Sequence, residues 1–218
     1  MGGEFPVSVA LRSIVRAPAE RPGAPLVLAL HGMGMTARSF ERWLKPAIDR
    51  GALSWWVPQG ILPHEASDGA ARRIGYAWYV FDGDQEALRA SMDQARAHLL
   101  GLAEIALRAL RPPRLALLGF SQGAYLAGYV ALSRPDLFSA VVCCCGRPKS
   151  EFAPDLAKAR ALRVMAQRGA DDASVPAPLF EKGLAPLRAA GLEVVERVYD
   201  AGHRLTPEMA TDAAEFLA

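Results

Sequence analysis

Short apolar runs alternate with longer amphipathic stretches through most of the chain. The runs at residues 26–30, 115–118 and 140–146 have the length and the lack of periodicity that are typical of strands buried on both faces. Residues 53–57, 162–167 and 192–199 predict three further strands. Residues 85–110 instead carry one apolar stripe at helical spacing, formed by Leu88, Met92, Ala95, Leu99, Leu102 and Ala106. The pattern therefore predicts buried strands and at least one long amphipathic helix.

Further helices are predicted by capping and stop signals. Thr36 can cap a helix that runs to about residue 50, another helix follows Ser121, and a third ends at Gly191. Thr206 precedes Pro207, which suits the first position of a closing helix. Strands that alternate with helices predict an α/β fold, with a mostly parallel, doubly wound sheet and helices on both faces.

The same pattern bounds the domain organisation. Residues 6–15 alternate weakly and predict an early edge strand, and the chain contains no internal repeat and no interdomain linker. We therefore expect residues 1–218 to form a single domain. In such folds ligands bind beyond the carboxyl ends of the strands. Met33, Ser121, Asp172 and His203 each follow a predicted strand, so they are expected to meet at one edge of the sheet.

Residues 61–84 interrupt the alternation, because they show no clear period and contain one proline and three glycines. A long irregular insert in a compact domain is often a binding loop or a lid. The aromatic run at residues 76–81 is also compatible with a core strand. Both interpretations stay open from the sequence.

The composition is typical of a globular protein and argues against a nucleic-acid-binding or membrane-spanning protein. Hydrophobic residues make up 51% of the 218 residues, which suits one sizeable core, and the formal net charge of +2 is too small to predict a nucleic-acid partner. No apolar segment is long enough to insert stably in a membrane, and no signal peptide is visible. The cysteines are consecutive, Cys143 to Cys145, so they predict core packing and a reducing, cytoplasmic location. The oligomeric state is not predicted.

Candidate chemistry begins where the apolar run at residues 115–118 leads into Gly119-Phe120-Ser121-Gln122-Gly123. A Gly-x-Ser-x-Gly sequence between a strand and a helix is typical of a nucleophile elbow, in which a tight turn presents one serine. The alternative is that Ser121 only caps an ordinary helix. The downstream residues favour the elbow, because a base and a carboxylate follow in the order that this catalytic arrangement requires.

A serine nucleophile needs a base, and the base needs a carboxylate to orient it. His203 follows the last predicted strand and is the best placed of the histidines. Asp171 and Asp172 both follow the predicted strand at residues 162–167, and of the two we favour Asp172 as the orienting carboxylate. Asp200 is a third candidate, which lies close to His203 in sequence. Backbone N–H groups of Gln122 and Met33 are the expected donors to the oxyanion.

These residues resemble the small phospholipase/carboxylesterase group of the α/β-hydrolases, which includes acyl-protein thioesterases and bacterial carboxylesterases. The motifs that carry the resemblance cover most of the chain: residues 30–34, Pro58-Gln59, Trp78-Tyr79, residues 119–123, Asp172-Ala173-Ser174-Val175-Pro176 and Gly202-His203. The resemblance implies the α/β-hydrolase fold and hydrolysis of carboxylic esters or thioesters, with no metal or organic cofactor. It also implies a catalytic role for Ser121, Asp172 and His203, oxyanion donors at Met33 and Gln122, and substrate contact near Trp78 and Tyr79.

The sequence thus predicts a serine hydrolase that forms an acyl-enzyme on Ser121, with short-chain or aryl esters as the expected small-molecule substrates. A long-chain acyl thioesterase or lysophospholipase is the alternative within this class. A binding protein that has the hydrolase fold but no activity is the alternative from another class, and the presence of all three candidate catalytic residues argues against it.

Overall fold

The computed structural model describes residues 12–18, 23–68 and 71–218. Its strands are β1 (Ser13–Arg16), β2 (Leu26–Leu30), β3 (Ser54–Pro58), β4 (Leu62–Asp68), β5 (Ala71–Ala77), β6 (Leu115–Phe120), β7 (Ala140–Cys144), β8 (Arg163–Gly169) and β9 (Val194–Tyr199). Its helices are α1 (Ala37–Ile48), α2 (Gln85–Ala109), α3 (Gln122–Ser133), α4 (Ala177–Ala189) and α5 (Pro207–Leu217). The six strands and the helices predicted from the sequence are confirmed, but β9 lies at an edge of the sheet and is only partly buried. Residues 6–11 of the predicted edge strand lie outside the described residues.

Seven strands form one sheet in the order β1-β3-β2-β6-β7-β8-β9. Strand β1 runs antiparallel to β3, and the other pairs are parallel, which confirms the predicted doubly wound α/β architecture. Leu30 pairs with Gly119, so the carboxyl ends of β2 and β6 lie side by side. The loop after His31 and the turn at Ser121 are thereby adjacent at the carboxyl edge.

Each face of the sheet packs against its own set of helices. Leu28, Leu117 and Val141 lie in the apolar core beneath α2 and α3. Their neighbours along the same strands point the other way and pack against α1 and α5, because successive side chains in a strand alternate between faces. Both faces are covered, which explains why these strands are apolar throughout. None of the helices in the described residues is apolar over a length that would cross a membrane.

Residues 62–68 and 71–77, which we name the hairpin, form a regular antiparallel strand pair instead of the irregular insert that the sequence predicts. Strands β4 and β5 form a separate two-stranded sheet, so the aromatic run does not add a strand to the main sheet. The half-buried positions of β4 are Leu62, His64 and Ala66, and a histidine and an alanine at inward positions hide the alternation expected of a strand.

The hairpin is attached to the loop that follows β2. Gly34 N–H donates to Tyr76 O at 2.9 Å, and Tyr76 N–H donates to Met35 O at 2.9 Å. Gly75 is required at this junction, because a Cβ there would lie only 2.0 Å from Gly34 O. The contact places β5 beside the carboxyl edge of the main sheet.

Candidate active site

Ser121 occupies a strained turn between β6 and α3. Its φ of 51° and ψ of −119° are unfavourable for a residue with a side chain, and such strain is typical of functional sites. The two motif glycines make the turn possible. A Cβ at Gly119 would lie 2.2 Å from Gly123 O, and a Cβ at Gly123 would lie 2.3 Å from Leu30 O. The Gly-x-Ser-x-Gly pattern is therefore required by the close approach of strand and helix.

Ser121, His203 and Asp172 form one continuous hydrogen-bonded chain. His203 Nε2 lies 2.8 Å from Ser121 Oγ, and His203 Nδ1 lies 2.8 and 3.0 Å from the two carboxylate oxygens of Asp172. The Asp172 side chain is fully buried, whereas Asp171 and Asp200 are exposed. Of the three candidate carboxylates, the structure brings Asp172 to the histidine.

Backbone contacts hold Asp172 and bring its loop beside the loop of His203. Asp172 Oδ1 accepts hydrogen bonds from the N–H groups of Ser174 at 2.9 Å and Val175 at 3.0 Å. Asp171 N–H donates to Ala201 O at 3.1 Å, which joins the loop after β8 to the loop after β9. The carboxylate and the imidazole are thus placed by two adjacent parallel strands.

Two backbone N–H groups beside Ser121 are available for an oxyanion. Within the described part of the chain, neither the Met33 N–H nor the Gln122 N–H donates a hydrogen bond to another residue. Gln122 is the first residue of α3, where the N–H groups have no partner inside the helix and the helix dipole favours negative charge. The donors expected from the sequence are therefore free to bind an anionic oxygen.

The side chain of Gln122 has a role that sequence reasoning missed. Its amide oxygen accepts a hydrogen bond from Trp78 N–H, and its amide nitrogen donates to Tyr79 O, both at 2.9 Å. Trp78 Nε1 donates in turn to His31 O at 2.8 Å. These bonds fasten the segment after the hairpin to both loops at the site. No local sequence signal marks them, because the partners are more than forty residues apart.

Trp78 and Tyr79 differ in their relation to the site. Trp78 is fully buried and lines neither cavity next to Ser121, so its placement gives no support to the expected substrate contact. Tyr79 lines one of these cavities, and burial strongly raises the pKa of its phenol. Tyr79 therefore stays a candidate for substrate contact as a neutral hydroxyl.

Two cavities meet at Ser121. The first, which we name the His203 cavity, has a volume of about 770 Å³ and is lined by His203, Phe120, Trp43, Arg73 and Ile74 among others. The second, the Tyr79 cavity, has a volume of about 800 Å³ and is lined by Tyr79, Leu88, Tyr125, Arg147 and Leu179 among others. Because Arg73 and Ile74 belong to β5, the hairpin forms one wall of the His203 cavity.

The cysteines are buried, which agrees with the packing role expected for them. Cys145 Sγ lies within 4.8 Å of ligand atoms of Asp172 and His203, a spacing that could suit a metal ion. Burial raises the pKa of the Cys145 thiol to about 12, however, and the thiol donates to Arg204 O at 3.4 Å. Both ring nitrogens of His203 lie within hydrogen-bond distance of Ser121 and Asp172, so this geometry fits a hydrogen-bonded triad.

The profile of the phospholipase/carboxylesterase family matches residues 12–218 of the chain. The chain belongs to the phospholipase/carboxylesterase family. Family membership confirms the resemblance carried by the motifs and makes the protein a hydrolase. No curated protein sequence matches the chain.

Solved structures similar to this family member share its α/β-hydrolase fold. A carboxylesterase from Mesorhizobium loti is 18% identical with a TM-score of 0.80, and the match covers 98% of this chain and 97% of that one. A Bacillus cereus carboxylesterase is 16% identical with a TM-score of 0.73, over 95% and 93% of the two chains. Zea mays acyl-protein thioesterase 2 is 22% identical with a TM-score of 0.72, over 94% and 97%. At these identities the likeness establishes the fold.

A buried histidine beside the site makes the stability of the protein dependent on pH. His31 Nε2 accepts a hydrogen bond from Gly60 N–H at 2.9 Å, and its Nδ1 is 2.8 Å from Gly32 O. Burial lowers the pKa of His31 from 6.5 to about 4, although the Gly32 hydrogen bond acts in the opposite direction. The folded protein therefore binds a proton on His31 less readily than the unfolded chain does.

Neutral His31 contributes its full share of the folding stability at pH values above 6.5, the pKa of a histidine in the unfolded chain. This contribution is lost as the pH falls towards about 4, the pKa of His31 in the folded protein. We expect the free energy of unfolding to decrease by roughly 3 kcal/mol over this range because of this residue alone. Urea unfolding at several pH values measures the effect. His31→Gln, which cannot titrate, is the control, and an equal pH dependence in both proteins would contradict the prediction.

Proposed function

We propose that the protein is a serine hydrolase of carboxylic esters that works through an acyl-enzyme. Ser121 Oγ attacks the acyl carbonyl carbon while His203 Nε2 takes the hydroxyl proton. The tetrahedral oxyanion is held by the N–H groups of Met33 and Gln122. His203 then returns the proton to the leaving oxygen, which departs as the alcohol, and the acyl group stays on Ser121. Asp172 keeps the histidine in the required tautomer and stabilises its charged form.

Deacylation repeats these steps with water. His203 removes a proton from a water molecule, the hydroxide attacks the acyl carbon, and the proton returns to Ser121 Oγ as the acid is released. The observation that carries the proposal is the 2.8 Å contact between His203 Nε2 and Ser121 Oγ, with Asp172 on the other side of the imidazole. A nucleophile, a base and its orienting carboxylate are the groups that acyl transfer requires.

The two cavities suggest where the parts of an ester would lie. His203 must protonate the leaving oxygen, so the alcohol would occupy the His203 cavity. The acyl part would then point away from His203, into the Tyr79 cavity that Gln122 and Tyr79 line. A cavity of about 800 Å³ has room for short-chain and aryl acyl groups, which supports the proposal of a carboxylesterase. Long-chain thioester hydrolysis is the second candidate, favoured by the apolar walls at Phe81, Leu88 and Leu179.

A series of 4-nitrophenyl esters, from acetate to palmitate, tests the proposal. Release of 4-nitrophenolate gives kcat/KM for each chain length, and mass spectrometry of the quenched enzyme detects the acyl group and its attachment site. We expect the highest kcat/KM at short chains and an adduct on Ser121. A maximum at long chains would favour the thioesterase or lysophospholipase alternative. Turnover with no adduct on Ser121 would refute the acyl-enzyme mechanism.

A further inference from the structure

Four charged side chains line the Tyr79 cavity, and three of them are cations: Arg147, Lys149 and Lys182, with Glu151 as the acid. Arg147 and Lys149 are only 3% and 7% exposed. Lysine and arginine are rarely buried to this extent unless they are paired, because the loss of hydration is costly. The proposed function gives these buried cations no role, since its chemistry takes place at Ser121.

Glu151 cannot balance both buried cations. Its carboxylate accepts hydrogen bonds from Arg147 Nη1 at 2.9 Å, Arg147 Nη2 at 2.7 Å and Lys149 Nζ at 3.0 Å. Burial alone would raise the pKa of Glu151, but these hydrogen bonds outweigh it and lower the pKa to about 2. Glu151 is therefore ionised at neutral pH and supplies a single negative charge. The cluster, which we define as Arg147, Lys149, Lys182 and Glu151, thus keeps a net positive charge.

The cluster also has unused hydrogen-bond donors. Arg147 Nε is buried and has no hydrogen-bond partner in the described part of the chain. Lys149 Nζ donates to Glu151 and otherwise lies 4.5 Å from the centre of the Phe152 ring, although an ammonium group has further N–H donors. Leaving a buried charged donor unpaired is costly. An anionic group of a ligand in the cavity would supply the missing charge and an acceptor for Lys149 Nζ.

The cluster and Ser121 line the same cavity, so one ligand can reach both. Tyr125 also lines this cavity, and the Arg147 guanidinium lies 5.8 Å from the centre of its ring. The cavity volume of about 800 Å³ has room for several methylene groups between a carbonyl at Ser121 and a second group at the cations.

We propose that the Tyr79 cavity binds an acyl group that ends in a carboxylate, held by Arg147, Lys149 and Lys182. The preferred substrates are then half-esters of dicarboxylic acids, in which the ester carbonyl reaches Ser121 and the free carboxylate reaches the cations. This inference rests on the proposed function, because it places the acyl part of the substrate in this cavity.

A pair of chromogenic esters tests the inference. The 4-nitrophenyl monoester of adipic acid carries the carboxylate, and 4-nitrophenyl heptanoate is a neutral counterpart of similar length. We expect the wild-type kcat/KM to be at least about tenfold higher for the monoadipate, as a charge-assisted hydrogen bond allows. Lys149→Met and Lys182→Met should each reduce this ratio several-fold. Lys45→Met, which removes an exposed cation from α1 on the other face of the sheet, should leave both rates unchanged.

A binding measurement separates failure of this inference from failure of the proposed function. Calorimetry on Ser121→Ala compares adipamate, the monoamide of adipic acid, with neutral hexanamide. Preferential binding of adipamate that Lys149→Met weakens would support the anionic subsite even if no ester were hydrolysed. Hydrolysis of heptanoate that depends on Ser121, together with equal or weaker binding of adipamate, would overturn the subsite and leave the esterase proposal standing.

Discussion

Ser121→Ala is expected to lower kcat/KM for a 4-nitrophenyl ester by roughly 10⁴- to 10⁶-fold, because the nucleophile that carries the acyl group is removed. The oxyanion donors at Met33 and Gln122 remain, so a small residual rate above that of water alone should persist. Alanine has no polar group to bury, and the fold should be retained. Steady-state kinetics with a thermal unfolding curve measure both effects.

Ser133→Ala is a suitable control for this experiment. Ser133 lies at the end of the same helix, where its Oγ donates to Val130 O at 2.9 Å. This variant removes one hydroxyl from α3 without touching the carboxyl edge of the sheet, so its kcat/KM should match that of the wild type. If Ser121→Ala kept more than a few per cent of the activity, another residue would have to be the nucleophile.

Asp172→Asn is expected to lower kcat by roughly 10⁴-fold with little change in structure. The carboxylate oxygen that accepts from Ser174 N–H and Val175 N–H would become the amide oxygen, because only an acceptor fits there. The amide NH₂ would then take the position of the other oxygen and face His203 Nδ1. Nδ1 would have to accept this hydrogen bond, which moves the proton to Nε2 and prevents Nε2 from accepting the Ser121 proton.

Asp171→Asn provides the matched comparison, since it makes the same chemical change at the adjacent, exposed position. Its kcat should stay within about twofold of the wild type, as is usual for surface substitutions. Kinetics of both variants at several pH values would distinguish the two aspartates. Equal losses in the two variants, or a larger loss in Asp171→Asn, would show that Asp172 is not the residue that orients the histidine.

Several features of the site could be predicted from the sequence because their causes are local. The Gly-x-Ser-x-Gly turn is one, since Gly119 is required by its close approach to Gly123 O within a strand, a turn and a helix that are consecutive in the chain. The positions of His203 and the Asp171-Asp172 pair are another. Residues that follow parallel strands lie at the same edge of the sheet, whatever their side chains are.

Local patterns did not decide between neighbouring residues or reveal long-range pairs. The sequence favoured Asp172 over Asp171 and Asp200, but only the fold shows which carboxylate is buried and lies 2.8 Å from His203. The pairing of residues 62–68 with residues 71–77 was missed, because the half-buried positions of β4 include His64 and Ala66 and so lack a clean apolar alternation. The expected position of Trp78 at the substrate also depended on packing that one sequence does not contain.

The sequence by itself determined the α/β architecture, the edge of the sheet that carries the chemistry and the candidate nucleophile, because strand length, helical periodicity and turn sterics depend on residues close together in the chain. Only the tertiary structure decided which charges are buried together. Gln122 meets Trp78 and Tyr79 across more than forty residues, and Arg147 and Lys149 reach the cavity that also borders Ser121. The burial of these side chains and the net charge around them depend on segments that are far apart in the sequence. Both are therefore fixed only when the chain folds.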